Sequence, residues 1–149
     1  MEMFRALDRG DIKVLWINTT NPFQTLPHVG RYAKGARKGG ERFIIVSEVY
    51  PSETARLADL ILPSAMWVEK EGMFGNSERR TQHWAKMVDP PGQARDDLWQ
   101  IVELAKRLGL GHLFDYRQAP LQKALFEEYR QFGLGKAKDL APYEVYVKV

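Results

Sequence analysis

The apolar positions of this chain fall first into short runs and later into helical stripes. Ile12 to Asn18 reads IKVLWIN, a β-branched and aromatic run closed by Thr-Thr-Asn-Pro. That pattern predicts a strand followed by a turn. Pro22 pushes Asn21 away from helical angles and so marks a tight loop at the strand's end. Arg42 to Tyr50, RFIIVSEVY, is almost continuously apolar, as suits a strand buried on both faces. Leu60 to Pro63, LILP, is a third and very short strand. Between these runs the spacing becomes helical. Met3 and Leu7 share a face in a helix over residues 2 to 9, with Gly10 at its C-terminal stop. A weaker helix is expected near residues 26 to 36, and Ser52 can cap a short one through Ala58. Strands alternating with helices on short links argue for an α/β fold. The expectation is a Rossmann-like three-layer domain with a mainly parallel sheet flanked by helices.

After Pro63 the pattern changes. Residues 64 to 84 show no helix or strand period, although they hold Trp67, Trp84, Glu69-Lys70-Glu71 and Arg79-Arg80. Regularity returns with Asp97 and Gln100, spaced as a capping box. Leu98, Ile101, Val102, Ala105 and Leu108 follow at helical intervals, and Gly109 ends the helix. Leu121, Leu125, Tyr129 and Phe132 predict a last helix from about 120 to 132, with Pro120 in its first turn. Tyr143 to Val147, YEVYV, reads as the start of a strand. The chain is expected to be a single α/β domain over 1–149.

Composition narrows the picture little. With 149 residues, 44% hydrophobic and 28% charged, the chain is long enough for a core and ordinary for a globular protein. It has no apolar run long enough to span a bilayer, and no secretory leader pattern at its start. The absence of cysteine rules out disulfides, thiolate zinc sites and cysteine-ligated iron–sulfur clusters within this sequence. The net charge is +3. Part of it sits in His28, Arg31, Lys34, Arg37, Lys38 and Arg42, interspersed with glycines. Such a stretch is usually a solvated loop; an anion contact is the alternative. Tyr32 is the only aromatic residue among these, so nucleic acid is not expected as a partner.

In open parallel sheets, ligands bind beyond the C-terminal ends of the strands. Those ends carry Thr19, Thr20, Asn21 and Pro22, then Ser47, Glu48 and Tyr50, then Ser64 to Lys70. Amide and carboxylate groups suit base edges; hydroxyl and lysine groups suit ribose or phosphate. Each has a plainer reading. Asn21 could form an Asx turn, Ser47 and Glu48 could end a strand in solvent, Lys70 could sit in a solvated charge run, and Asp97 could be a helix cap. His28, His83 and His112 lack ligand spacing and read as structural or surface residues. No dinucleotide glycine fingerprint, P-loop, nucleophile elbow or HExxH is present. Residue chemistry by itself stops at an α/β domain with a nucleotide site.

The stretch ADLILPSAMWVEKEGMFGNSERRTQHW, residues 58 to 84, goes further. Together with TTNP and SEVYPSETARLAD upstream and DDLWQIVELAKR downstream, it resembles the molybdopterin oxidoreductases. Within them it most resembles the catalytic subunits of periplasmic nitrate reductases. The resemblance covers residues 3 to 109; residues 110 to 149 match less specifically. It implies an excised dinucleotide-fold domain of a larger molybdoenzyme that reduces nitrate to nitrite. It further implies a molybdenum cofactor with two molybdopterin guanine dinucleotides, of which this segment grips one. Carried over residue by residue, the cofactor contacts are Asn21, Ser47, Glu48, Lys70 and Asp97, with Glu48 standing where the family has Asp. Trp67 and Trp84 are expected to pack, and Arg79 and Arg80 to form ion pairs or to remain solvated.

The resemblance also implies a 4Fe-4S cluster elsewhere in the parent, whose other domains are this segment's partners. A cytochrome-type electron donor, periplasmic location and a place in nitrate assimilation and electron transport follow from the same source. No membrane insertion is expected, no metal ligand or catalytic residue is assigned here, and the isolated segment is expected to be inactive. Alternatives are the same domain of a formate dehydrogenase or an assimilatory nitrate reductase, and a free-standing nucleotide-binding module.

Overall fold

A computed structural model describes residues 1–36, 42–114, 120–136 and 140–148. The chain divides into two compact units, Met1–Ser64 with Gly92–Asp97, and Ala65–Pro91 with Leu98–Val149.

In the first unit, α1 (Glu2–Arg9) leads into β1 (Val14–Asn18). Gly10 ends α1 at φ 91, donating its N–H to Leu7 O while Asp11 donates to Ala6 O. That pair of bonds is a Schellman closure, and its positive φ is the conformation glycine reaches without a Cβ clash. After β1 come two helices, α2 (Pro22–Thr25) and α3 (Val29–Ala36), then β2 (Phe43–Glu48), a 3₁₀ turn over Ala55–Leu57, and β3 (Leu60–Pro63). The three strands are parallel in the order β1-β2-β3, with Asn18 opposite Ser47 and Ser47 opposite Leu62. This is the expected α/β architecture with helices flanking a parallel sheet. Leu15, Ile17, Ile44 and Val46 point to one face. There they join Phe4, Leu7, Phe23, Tyr32 and Ala55 in the core. Phe4 anchors the cluster through an edge-on contact with Phe23 and a tilted one with Tyr32.

The basic stretch is partly helix: α3 carries Arg31 and Lys34. Arg31 forms a forked pair with Asp8 at 3.0 and 2.9 Å. Arg42 donates to the carbonyls of Gly35 and Asp8. These cations tie α3 to α1. Arg37 and Lys38 lie outside the described residues.

The stretch from 64 to 84, which lies in the second unit from Ala65 onward, is not patternless. A 3₁₀ turn, Trp67–Glu69, is followed by an antiparallel hairpin of β4 (Gly72–Gly75) and β5 (Thr81–Trp84). Its loop is closed by Asn76, whose Oδ1 accepts from the N–H groups of Glu78 and Arg80. Arg79 sits there at φ 62. Strands of four residues are too short to show a period, and packing of Phe74 and Trp84 supports them. Helix α4 (Asp97–Arg107) begins at Asp97 itself, so Asp97 is its first residue and not the cap of a capping box. Gly109 closes α4 as expected, with Leu110 donating to Ala105 O. A 3₁₀ turn (Gly111–Phe114) precedes α5 (Leu121–Gln131), which starts behind Pro120 as the spacing predicted.

The segment YEVYV is a helix, α6 (Tyr143–Val147), and not a strand. Pro142 caps it, Glu144 occupies its first turn, and Val145 and Val147 are exposed. Buried Tyr143 fixes the choice, packing edge-on against His83 and Phe126. Tertiary contact overrides the β propensity of two valines and two tyrosines. Among the described residues, no helix is long and apolar enough to cross a membrane.

Candidate nucleotide-end site

The C-terminal edge of the first unit's sheet gathers most of the expected residues. Asn18 closes β1, Ser47 and Glu48 close β2, and Ser64 follows β3. Ser64 forms a parallel bridge with Arg95, whose N–H donates to Pro63 O at 3.0 Å. That bridge carries the chain back along the strand ends and brings Asp97, half-buried, to the same edge. Lys70 belongs to the second unit.

Asn21 follows β1 and precedes α2 at φ −114, ψ 62. The Asx-turn reading required its side chain to accept from the Phe23 N–H. That N–H is donated to Thr54 Oγ1 at 3.2 Å. Pro22 has no N–H, and the N–H groups of Gln24 and Thr25 go to the Asn21 backbone carbonyl. The backbone N–H groups that follow Asn21 are therefore committed through Thr25. Asn21 Oδ1 is shut off from solvent with no hydrogen-bond partner among the described residues. Buried polar atoms in native proteins are nearly always paired, so an orphan at a strand end marks a place where a ligand can donate. Thr54, itself 0% exposed, is the residue that frees Asn21 from capping duty.

Ser47 is 1% exposed, and its Oγ accepts from the Trp16 indole N–H at 2.8 Å. Glu48 shapes the following loop: its carboxylate accepts from the Val49 N–H at 2.8 Å and the Ser52 hydroxyl at 3.2 Å. Neither is a strand end in open solvent. Each Glu48 oxygen keeps a further lone pair for a ligand. Ser52 Oγ in turn accepts from the Ala55 N–H, the capping role its position predicted.

In the second unit, Lys70 is half-buried in extended backbone between two engaged carboxylates. Glu69 accepts from the Met66 N–H at 2.8 Å. Glu71 Oε1 accepts from the Tyr143 hydroxyl and contacts His83 Nε2 at 3.1 Å. Glu69-Lys70-Glu71 is thus a built segment, not a solvated charge run. The Tyr143 hydroxyl foremost, helped by His83, holds the Glu71 carboxyl below its ordinary range. Burial first, and the Glu71 carboxylate second, push the Tyr143 phenol upward. Trp67 packs edge-on to Trp84 at 4.9 Å, and Phe74 lies 4.7 Å from Trp84, so both tryptophans pack. Arg80 reaches Glu78 at 3.6 Å with both side chains largely exposed, a surface pair.

Three features escaped the sequence reading: Asn18, the capping hydroxyl of Thr54, and the Glu71–His83–Tyr143 cluster. Asn18 had a signal, as the polar end of an apolar strand. The cluster had none, because its members are 12 and 72 residues apart. Among the described residues, no three His, Cys, Asp or Glu side chains are grouped so as to hold a metal ion.

Comparison with known proteins agrees with this geometry. The family model for molybdopterin oxidoreductases matches residues 1–107. A nitrate reductase of Symbiobacterium thermophilum is 46% identical over 147 residues, 98% of this chain. The chain spans 19% of that relative's length. Among solved structures, acetylene hydratase from Pelobacter acetylenicus superposes with a TM-score of 0.67 at 25% identity. That match covers 76% of this chain and 16% of the hydratase. The family match over residues 1–107 and the relative matched over 98% of this chain agree: this chain belongs to the molybdopterin oxidoreductase family.

Proposed function

We propose that this chain is part of a molybdenum-dependent nitrate reductase and binds one end of its bis(molybdopterin guanine dinucleotide) cofactor. The observation that carries the reading is the Asn21 side-chain oxygen Oδ1, buried and unpartnered among the described residues at the C-terminal end of a parallel strand. Such an acceptor fits a ligand with N–H donors, and a guanine edge presents them. The 46% identity to a nitrate reductase favours nitrate over other substrates. Within this family the hydratase is the second reading, and its 25% identity supports it less.

In this reading Asn21 and Glu48 accept hydrogen bonds from the base, and Ser47 holds the strand end in register through Trp16. Asp97, in the first turn of α4, adds a carboxylate at the same edge. Lys70 supplies a cation suited to pyrophosphate or a pterin oxygen. When bound, the cofactor supplies the two-electron chemistry that takes nitrate, with two protons, to nitrite and water. This chain's residues bind and orient. The rest of the protein supplies the 4Fe-4S cluster, and a cytochrome-type partner in the periplasm delivers electrons. The segment by itself is inactive.

The test is nitrite formation by the full-length, cofactor-loaded protein with a chemical reductant, comparing wild type with Asn21→Leu. Nitrite from the wild type, with cofactor lost from the variant on gel filtration, is expected. A loaded wild type that makes no nitrite overturns the substrate assignment.

A further inference from the structure

A second amide shares the condition of Asn21. Asn18 Oδ1 is also closed to solvent with no hydrogen-bond partner among the described residues. Asn18 ends β1 on the face opposite Leu15 and Ile17, the same face as Trp16. Its neighbour across the sheet is Ser47, whose Oγ already accepts from Trp16. The Thr19 N–H goes to Ser47 O at 3.4 Å, and Thr19 itself turns the chain at φ 59. A non-glycine residue at positive φ is a conformation that costs energy and persists where surroundings impose it. Two unpartnered amide oxygens thus stand three residues apart in sequence where β1 ends and its loop begins. Local donors are spent on Thr54, on the Asn21 carbonyl and on Ser47. Leaving one such acceptor buried lowers folding stability, and leaving two in a single loop points to a ligand that satisfies both.

We infer that Asn18 and Asn21 together accept hydrogen bonds from the adjacent ring N–H and exocyclic amino group of a 2-amino-4-oxopyrimidine edge. This rests on the cofactor reading above and adds Asn18 as the residue that makes the site selective. Two neighbouring acceptors match two neighbouring donors. A ring lacking the exocyclic amino group leaves one acceptor buried and unpaired, which is how buried polar sites reject close analogues. Guanine and pterin both carry this edge.

The experiment uses the full-length protein prepared without cofactor, with calorimetry against GMP, IMP and 6-hydroxymethylpterin. IMP differs from GMP by loss of the amino group alone. Wild type is expected to bind GMP about tenfold more tightly than IMP. Asn18→Leu, apolar with the same branching and number of side-chain heavy atoms, should bring that ratio close to one. It should also raise the melting temperature of the ligand-free protein, because a buried orphan acceptor has gone. Asn18→Asp keeps the acceptors and should keep the preference. Pterin binding without GMP binding assigns the edge to the pterin end; GMP binding assigns it to guanine.

An Asn18→Leu variant that keeps the tenfold preference, or melts lower with the preference intact, makes Asn18 a structural residue and overturns the inference. A wild type that binds GMP and IMP equally overturns it while leaving the cofactor reading standing. A wild type that binds none of the three compounds removes the cofactor reading itself.

Discussion

The indole N–H of Trp16 donates to the hydroxyl of Ser47 at 2.8 Å across the β1–β2 pair. The two residues are 31 apart in the chain, and Ser47 is buried. The bond locks the ends of two strands together where β1 ends in Asn18 and passes into the loop that carries Asn21. Ser47→Ala leaves the indole donor part-buried and unpaired, and should cost about 1–3 kcal/mol in denaturant unfolding. Ser47→Thr retains a hydroxyl and should recover much of that loss. An alanine variant as stable as wild type would show the bond to be incidental.

Acid should weaken the attachment of α6. The Tyr143 hydroxyl and then His83 hold the Glu71 carboxyl below its ordinary value near 4.5. A carboxylate depressed in the folded state stabilises that state fully above the unfolded pKa, and the contribution is lost as pH falls through the folded value. Amide-exchange protection factors at Tyr143–Val147, taken relative to intrinsic rates, should therefore fall below about pH 4.5. Glu71→Gln should abolish that acid dependence. Tyr143, pushed upward by burial, gives the opposite limb. Its neutral form adds stability below the ordinary phenol value near 10 that is lost at higher pH. Tyr143→Phe should remove the alkaline limb, and protection factors independent of pH in wild type would discard this account.

The β4–β5 hairpin stands on Trp84, which meets Trp67 at 4.9 Å and Phe74 at 4.7 Å. Trp84→Ala should cost about 2 kcal/mol, below the 3–5 typical of a fully buried aromatic because Trp84 is half-buried. Exchange protection over residues 72–84 should fall with it, while β2 keeps its own. Trp84→Phe should retain most of both.

Gly10 closes α1 at φ 91, and a Cβ there would lie 3.3 Å from Arg42 Nη2. Gly10→Ala should destabilise by roughly 1 kcal/mol through backbone strain. Disturbing Arg42 also loosens its bonds to Asp8 and Gly35, which join α1 to α3. Thermal melting compared with Gly30→Ala, where a Cβ meets nothing within 4 Å, separates strain from side-chain bulk.

Much of the first unit was legible in the chain. IKVLWIN and FIIVSE carry the β-branched density of parallel strands, LILP is a short apolar run that pairs beside them, and Gly10 and Gly109 are stops that need nothing beyond local geometry. Asn21, Ser47, Glu48 and Lys70 were readable as ligand candidates because they follow strand ends, and the family motif carried Asp97. The hairpin at 72–84 and the helix at 143–147 were not readable. Four-residue strands are too short to display a period, and YEVYV has strand propensity that only burial of Tyr143 against Phe126 and His83 reverses.

By itself, then, the sequence determined the parallel α/β unit and its family, since local periodicity and turn chemistry act over neighbouring residues. Tertiary structure alone decided which polar groups are spent and which are spare. Thr54, 31 residues from Phe23, takes the N–H that Asn21 would otherwise cap. Hydrogen-bond donors are finite, and who receives each one depends on contacts between residues far apart in the chain.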